Sequence, residues 1–344
     1  MENTILFSIS GRDEFAKEII SIANKCLDEN HTIFGGCEVQ KFSDGELCVD
    51  YTDSLRGKIV YIFSDFNNSD EVIKLMLAID AAKRAEASKI IPILPYFIYA
   101  RGDKKDQARG PIAAKIMAEM IEQRGATSVI TLELHADQIQ GFFNIPVTHI
   151  QGKNIFDSYI ASICNENTIL CAPDAGSGKR VERMIKQLKK YHNIDLTYVV
   201  MHKVRSGPNK IDKMVIIGDV LDKDVIVLYE LIDTGGTLCR AAEELVINGA
   251  KSVRAVITHG VLSGNAYINI ANSAFSELVI SNSLSLIKMG DYASKGLEFM
   301  YETKRGLSKI KVISVADQLG YAMAAINGHL SYDALKKQHL TNKN

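Results

Sequence analysis

The chain of 344 residues has no apolar run long enough to span a bilayer, which excludes a helical membrane span. It has almost no net charge: 40 Lys and Arg stand against 41 Asp and Glu, so no global basic field points to nucleic acid. Its six cysteines, Cys26, Cys37, Cys48, Cys164, Cys171 and Cys239, include no Cys-x-x-Cys pair and no zinc-type spacing with histidine. Reduced, mostly buried thiols and a cytoplasmic location are the expectation. The first residues, Met1 to Phe7, lack the basic segment of a secretory signal, and Ile5 to Ile9 is expected as a first strand. What is present is a composition of 47% hydrophobic and 24% charged residues, ordinary for a globular chain with room for two cores.

The most informative stretch is Val225 to Thr237. It opens with apolar, β-branched residues, as a strand buried on both faces does, then breaks into Asp233-Thr234-Gly235-Gly236-Thr237. Helical spacing follows at Ala241, Ala242, Leu245 and Val246, and Asn248-Gly249 stops it. A strand, a glycine turn and a helix start bring backbone N–H groups to bear on an anion. An ordinary strand-to-helix turn would share the composition, but a second such turn follows the strand Thr168 to Cys171. It reads Asp174-Ala175-Gly176-Ser177, and two in one half of the chain point more firmly to phosphate.

Elsewhere, Asp44-Gly45 is a hairpin-turn signal, with Phe42, Asp44 and Glu46 suited to stacking on a base and accepting from an exocyclic amine. Ser69 is expected to cap a helix running to about Glu86, and Pro111 to start another. The strand Ile90 to Leu94 empties into a charged segment containing Arg101, Gly102 and Asp103, where an open α/β sheet places ligand groups, although a solvated charge run has the same look. Beyond the strand Val129 to Leu132, Glu133 and His135 alternate and are expected to face the same way. A strand from Thr197 to Met201 is expected to lead into a basic loop, His202 to Asn209, that carries Lys203 and Arg205. Ser314 to Asp317 has the pattern of a capping box. Gly125-Ala126-Thr127-Ser128-Val129 is echoed by Gly249-Ala250-Lys251-Ser252-Val253, and Ala87-Ser88-Lys89-Ile90 has the same setting, which suggests two domains of one α/β design meeting near residue 150.

Taken together, Phe42 to Glu46, Pro95 to Arg101, Gln138 to Phe143, Pro173 to Gly176, Ile232 to Thr237, Thr258 to Val261 and Ile313 to Ala316 resemble ribose-phosphate pyrophosphokinase, in order and spacing. The resemblance implies two phosphoribosyltransferase-type (type I) domains, each a mainly parallel sheet flanked by helices. They would span residues 1–150, joined by a C-terminal helix 306–335, and residues 151–305. It implies a Mg2+-dependent transfer of the diphosphoryl group of ATP to ribose 5-phosphate. Lys203 and Arg205 would be the catalytic cations. Phe42, Asp44, Gly45, Glu46, Arg101, Gly102, Asp103 and His135 would bind ATP. Asp174, Ala175, Gly176, Ser177, Tyr229, Glu230, Asp233, Thr234, Gly235, Gly236 and Thr237 would hold ribose 5-phosphate and the diphosphate. His135, Asp174 and Glu133 would be linked to the metal, and a homo-hexamer or dimer-based homo-oligomer is implied, with no nucleic-acid or membrane partner.

The sequence departs from the family pattern at several of these positions. Tyr229-Glu230 stands where two aspartates are usual, Glu133 where Asp is usual, and Asn144 and Thr148 at positions often held by Asp. Gly102 replaces Gln, and His202 and Val204 interrupt the basic loop. Two further expectations follow: a non-catalytic regulatory paralogue that assembles with active subunits, and a phosphoribosyltransferase that consumes phosphoribosyl pyrophosphate. Retention of Lys203, Arg205, His135, Asp174 and Asp233 favours the synthetase.

Overall fold

The computed structural model describes residues 4–27, 31–204, 213–286 and 297–342. The chain divides into two compact units, one of residues 1–151 and 315–344, the other of residues 152–314.

The first unit opens with β1 (Thr4–Ser8), α1 (Asp13–Cys26) and β2 (Thr32–Phe34), then β3 (Cys37–Lys41) and β4 (Leu47–Tyr51). It continues with β5 (Ile59–Phe63), α2 (Ser69–Arg84), β6 (Lys89–Leu94), α3 (Ala113–Arg124), β7 (Val129–Leu132) and β8 (Val147–Ile150). Six strands form a parallel sheet in the order β2-β1-β5-β6-β7-β8, and β3 pairs with β4 as a separate antiparallel hairpin. Every residue of β1 and β5 is buried, as apolar strands covered on both faces must be.

The second unit contains α4 (Lys153–Ile163), β9 (Thr168–Ala172), α5 (Gly178–His192), β10 (Tyr198–Val204), β11 (Lys213–Ile217) and β12 (Asp224–Ile232). There follow α6 (Gly236–Ile247), β13 (Ser252–Gly260), α7 (Ala266–Asn272), β14 (Glu277–Ser281), α8 (Leu297–Ser308) and β15 (Ile310–Ile313). The sheet order is β11-β10-β9-β12-β13-β14-β15, parallel except where β11 lies antiparallel to β10. The chain then re-enters the first unit as α9 (Ala316–Asn327) and α10 (Tyr332–Asn342).

The repeated sequence element has a physical counterpart. At the ends of α2, α3 and α6 the chain turns through a residue with positive φ: Glu86 (59°), Gly125 (126°) and Gly249 (93°). Each donates its N–H to the carbonyl three residues back, and the next residue donates to the carbonyl five back, as in Ala126 to Ile121 and Ala250 to Leu245. This is the Schellman arrangement, and it aims each helix back into the following strand.

Several local expectations are corrected. Asn68, not Ser69, caps α2: it is extended, and its side chain accepts from the N–H of Glu71 at 3.0 Å. α3 starts at Ala113, two residues beyond Pro111, because the Gly102 carbonyl takes the N–H of Ala114. β10 runs past Met201 to Val204, since Met214 to Ile217 supply an antiparallel partner. Arg205 to Asn209 lie outside the described residues. Residues 306–335 are not one helix: α8 ends at Ser308, β15 extends the second sheet, and only α9 and α10 belong to the first unit. The N-cap of α9 is Val315 with no side-chain cap, so no capping box forms at Ser314 to Asp317. None of the six cysteines is in a disulfide, but only Cys171 and Cys239 are buried.

Helix α8 packs closely on α7 through Gly306, where an added Cβ would stand 2.1 Å from the Tyr267 carbonyl oxygen. Gly306→Ala is therefore expected to destabilise the chain by about 1–3 kcal/mol in chemical denaturation. At Gly236 a Cβ would meet nothing within 4 Å, so Gly236→Ala is expected to be neutral for stability. Equal effects of the two changes would contradict this packing.

Candidate active site

In the second sheet the chain leaves β9 toward β10 on one side and leaves β12 toward β13 on the other. The gap beyond the C-terminal ends of β9 and β12 is thus the topological switch point, where open α/β sheets bind ligands. Both glycine turns arise there, because β9 and β12 are adjacent and parallel.

After β12 the chain passes through Asp233 and Thr234 and turns at Gly235, whose φ of 78° suits glycine. Gly235 is the N-cap of α6 and brings no side-chain acceptor. The first N–H groups of the helix are therefore left for an anion or water, and the helix dipole favours the anion. Thr234, Gly236 and Thr237 are exposed. The turn is braced from behind: the Ser263 hydroxyl donates to Asp233, and Asn269 Nδ2 donates to the Thr234 carbonyl at 2.8 Å. Val261 and Leu262 both donate their N–H groups to the Ile232 carbonyl. Ser263 and Asn269 are supporting residues with no signal in the sequence, since they come from the segment after β13.

The second turn is closed on itself. Asp174 Oδ1 accepts the Ser177 N–H at 3.0 Å, and the Ser177 hydroxyl donates to the Asp174 carbonyl at 2.7 Å. Ala175 and Gly176 stay exposed at its tip. The Tyr229 hydroxyl donates to Asp174 Oδ2 at 2.8 Å, so both carboxylate oxygens already carry one hydrogen bond. Burial, reinforced by the Asp174 charge, pushes the Tyr229 phenol well above its ordinary pKa, and it acts as a neutral donor. Glu230 is buried and ion-paired with Arg180 of α5 at 2.7 Å. The two positions where the family pattern has aspartates are thus both committed within the protein. Arg180 was not singled out from the sequence, because only the β9–β12 pairing brings α5 over β12.

Lys203 lies in the backbone ladder of β10, opposite Met214, and β10 runs parallel to β9 with Val200 opposite Ala172. Arg205 lies outside the described residues.

In the first unit Phe42 is 44% exposed at the tip of the β3–β4 hairpin. Its N–H donates to the Glu46 carbonyl, Gly45 turns with a φ of 96°, and Asp44 accepts the Glu46 N–H at 3.0 Å. Arg101 is exposed within a turn in which the Gly102 N–H donates to the Tyr99 carbonyl, and Asp103 is half-buried. Glu133 and His135 do not face the same way. Glu133 is buried with a φ of 25°, which ends strand alternation, whereas His135 is exposed. His149, not anticipated, fixes this segment: its Nε2 accepts the Leu134 N–H at 3.0 Å, and Nδ1 lies 3.8 Å from Asp137. The first sheet has its own switch point, between β1 and β5, and there Arg12 pairs with Asp65 at 2.9 Å. Burial raises the Asp65 pKa, and the guanidinium opposes that rise. Among the described residues no group of three or more His, Cys, Asp and Glu side chains converges on a metal position.

Comparison with known proteins gives a consistent family. The family described as the N-terminal domain of ribose phosphate pyrophosphokinase matches residues 4–125, and the phosphoribosyl synthetase-associated domain matches residues 189–289. The ribose-phosphate pyrophosphokinase of Porphyromonas gingivalis is 37% identical over 316 residues, covering 91% of this chain and 94% of that protein. That of Wolinella succinogenes is 40% identical over 313 residues, covering 90% of this chain and 92% of that protein. The crystal structure of phosphoribosylpyrophosphate synthetase from Mycobacterium smegmatis superposes with a TM-score of 0.80 at 29% identity, covering 95% of this chain and 100% of that one.

The Arg180–Glu230 pair is half-sheltered, with side-chain exposures of 20% and 9%. Glu230→Gln leaves the guanidinium without its counter-charge and is expected to cost about 2 kcal/mol of stability. Arg180→Met in the same chain should recover part of that loss in a double-mutant cycle, and additive losses would show that the two side chains are not coupled.

Proposed function

We propose, because this chain belongs to the ribose-phosphate pyrophosphokinase family, that it transfers the diphosphoryl group of ATP to O1 of ribose 5-phosphate. In this reaction O1 attacks the β-phosphorus in line, and the bond from that phosphorus to the α–β bridging oxygen breaks. AMP leaves, and the hydroxyl proton is released. The observation that carries the reading is the uncapped, exposed start of α6 at the switch point, a seat for the 5-phosphate. The work of such a transfer is positioning and charge stabilisation, which is what this chain's groups can supply.

Thr234, Gly235, Gly236 and Thr237 hold the 5-phosphate, and the turn from Asp174 to Ser177 faces the ribose and the diphosphate. Lys203 and Arg205 neutralise charge on the transferring group. Phe42 stacks on adenine, with Asp44, Gly45 and Glu46 as its neighbours. Arg101, Gly102, Asp103 and His135 take the rest of the nucleotide. The exposed hairpin suits a role in which Phe42 serves a nucleotide bound by a neighbouring subunit, so a homo-hexamer or other dimer-based assembly in the cytoplasm is part of the proposal. Among the described residues no helix is long and apolar enough to cross a membrane.

The donor set fits Mg2+ carried on phosphate oxygens and waters rather than held in a protein cage. Asp174 is half-buried beside its turn and His135 is exposed, so both are within reach of such waters, whereas Glu133 is buried and does not fit. When bound, the ion supplies charge neutralisation to the polyphosphate.

A second reading rests on Tyr229 and Glu230. Both are engaged within the protein, which leaves fewer acids for the sugar hydroxyls, and a non-catalytic subunit that assembles with active homologues would tolerate that. Purified protein given ATP, ribose 5-phosphate and magnesium is expected to form AMP. Lys203→Ala should slow that by on the order of 10³ or more, and an unchanged rate would remove Lys203 from the mechanism. No AMP with any divalent cation, together with tight binding to an active homologue, would establish the second reading instead. Tyr229→Asp is expected to lower the Michaelis constant for ribose 5-phosphate, and a flat or higher value would show that the tyrosine is not what limits sugar binding.

A further inference from the structure

The second unit carries a cavity of about 290 Å³ at the end of its sheet opposite the glycine turns. Arg254 stands near the start of β13, Glu277 begins β14, and Lys311 is the second residue of β15, so the cavity sits at the N-terminal ends of three parallel strands. Arg254 is opposite Ile226 in the paired β12 register. From Ile226 to Asp233 the chain advances about 23 Å, at roughly 3.3 Å per strand residue. The cavity is therefore a separate place from the anion seat at the start of α6.

Among its described lining residues, Arg254, Lys309 and Lys311 stand against one carboxylate, Glu277, while the Asp224 charge also acts on Arg254. Glu277 is already engaged: it accepts the Tyr159 hydroxyl, and Arg254 Nε lies 3.7 Å away. Lys311 Nζ rests over the Tyr159 ring at 4.5 Å. Lys309 Nζ donates one hydrogen bond, to the Ser273 carbonyl at 2.8 Å, and has two N–H donors left. Burial, followed by the nearby Arg305 charge, holds the Lys309 pKa below its usual value, and among the described residues no carboxylate pairs with it. A cluster of like charges around open space is relieved by an anion that accepts from all of them, and a phosphoryl group matches both guanidinium and ammonium donors.

We propose that this cavity binds a phosphoryl group, either as inorganic phosphate or as the end of a small phosphorylated molecule, with Arg254, Lys309 and Lys311 as its donors. The volume holds the phosphoryl group and a few further atoms, and a larger ligand would extend into solvent.

The site is tested on the whole protein with tungstate as the phosphate mimic. Crystals soaked in tungstate should show an anomalous peak among Arg254, Lys309 and Lys311, whether or not the Asp233–Thr237 turn is also occupied. Calorimetric titration with inorganic phosphate should show a site weakened at least about tenfold by Lys311→Gln, and likewise by Lys309→Gln. Lys311 is exposed, so its variant tests the site even if Lys309→Gln unfolds through loss of the Ser273 contact. Diphosphoryl transfer by Lys311→Gln at saturating substrates should stay at the wild-type rate. Displacement of phosphate from this site by 5′-AMP would identify the organic ligand, and its failure would identify the free ion. A cavity without tungstate, or phosphate affinity that neither variant changes, overturns the proposal. Neither result bears on the reaction assigned to the α6 turn, which stands or falls with the AMP assay.

Discussion

The chemistry proposed for this chain rests on the backbone N–H groups at the start of α6, which no side chain of the N-cap residue takes up. α6 begins at a glycine that offers no side-chain cap, directly behind a strand buried along most of its length. An orphan donor left facing open space is costly unless water or an anion takes it, and the helix dipole makes the anion the better partner. The parallel sheet is what holds the turn in place. Its strands β12 and β13 fix where Asp233 emerges, and Ser263 and Asn269, which follow β13, clamp the loop from the rear. Sheet register thereby sets the position of the turn proposed to seat the phosphate.

The neighbouring positions show how a family pattern can be kept in outline and changed in substance. A tyrosine hydroxyl donates a hydrogen bond to the Asp174 carboxylate, and this ties the two side chains together. Glu230 turns to Arg180 and leaves the crevice electrostatically quieter than two free acids would. The cost of separating either pair is a buried charge or an unmet carboxylate oxygen, which keeps both arrangements fixed. The crevice beside the Asp174 turn is thus shaped by contacts within the protein.

The buried strands and both glycine turns were readable from composition and spacing, because long apolar runs and glycine breaks are local signals. What escaped is nonlocal. Asn68 outcompetes Ser69 as a cap because its backbone is the extended one, and nothing in the letters marks that. β10 extends through Lys203 only because a later segment pairs with it. Glu133 departs from alternation through a single positive φ, at the place where its N–H reaches across to Ile150. The pairing of α5 with β12 through Arg180, and the bracing of Asp233 by Ser263, join residues dozens of positions apart and leave no periodicity to detect.

The return of α9 to the first unit affects how the molecule is made. Gly320 lies so close to α1 that a methyl there would stand 2.5 Å from Ile22, so the two helices form one seam. Everything from Gly152 to Ser314 is synthesised between the halves of that seam. At about 5–20 residues per second the ribosome takes roughly 10–30 s to traverse it. Through that interval the part of α1 around Ile22 waits for α9, although Phe15 of α1 can already pack on Phe63 of β5. β15 completes the second sheet just before α9 is made, so the later-synthesised unit can close its core first, and a nascent chain stalled within it would present the α9-facing side of α1 to chaperones.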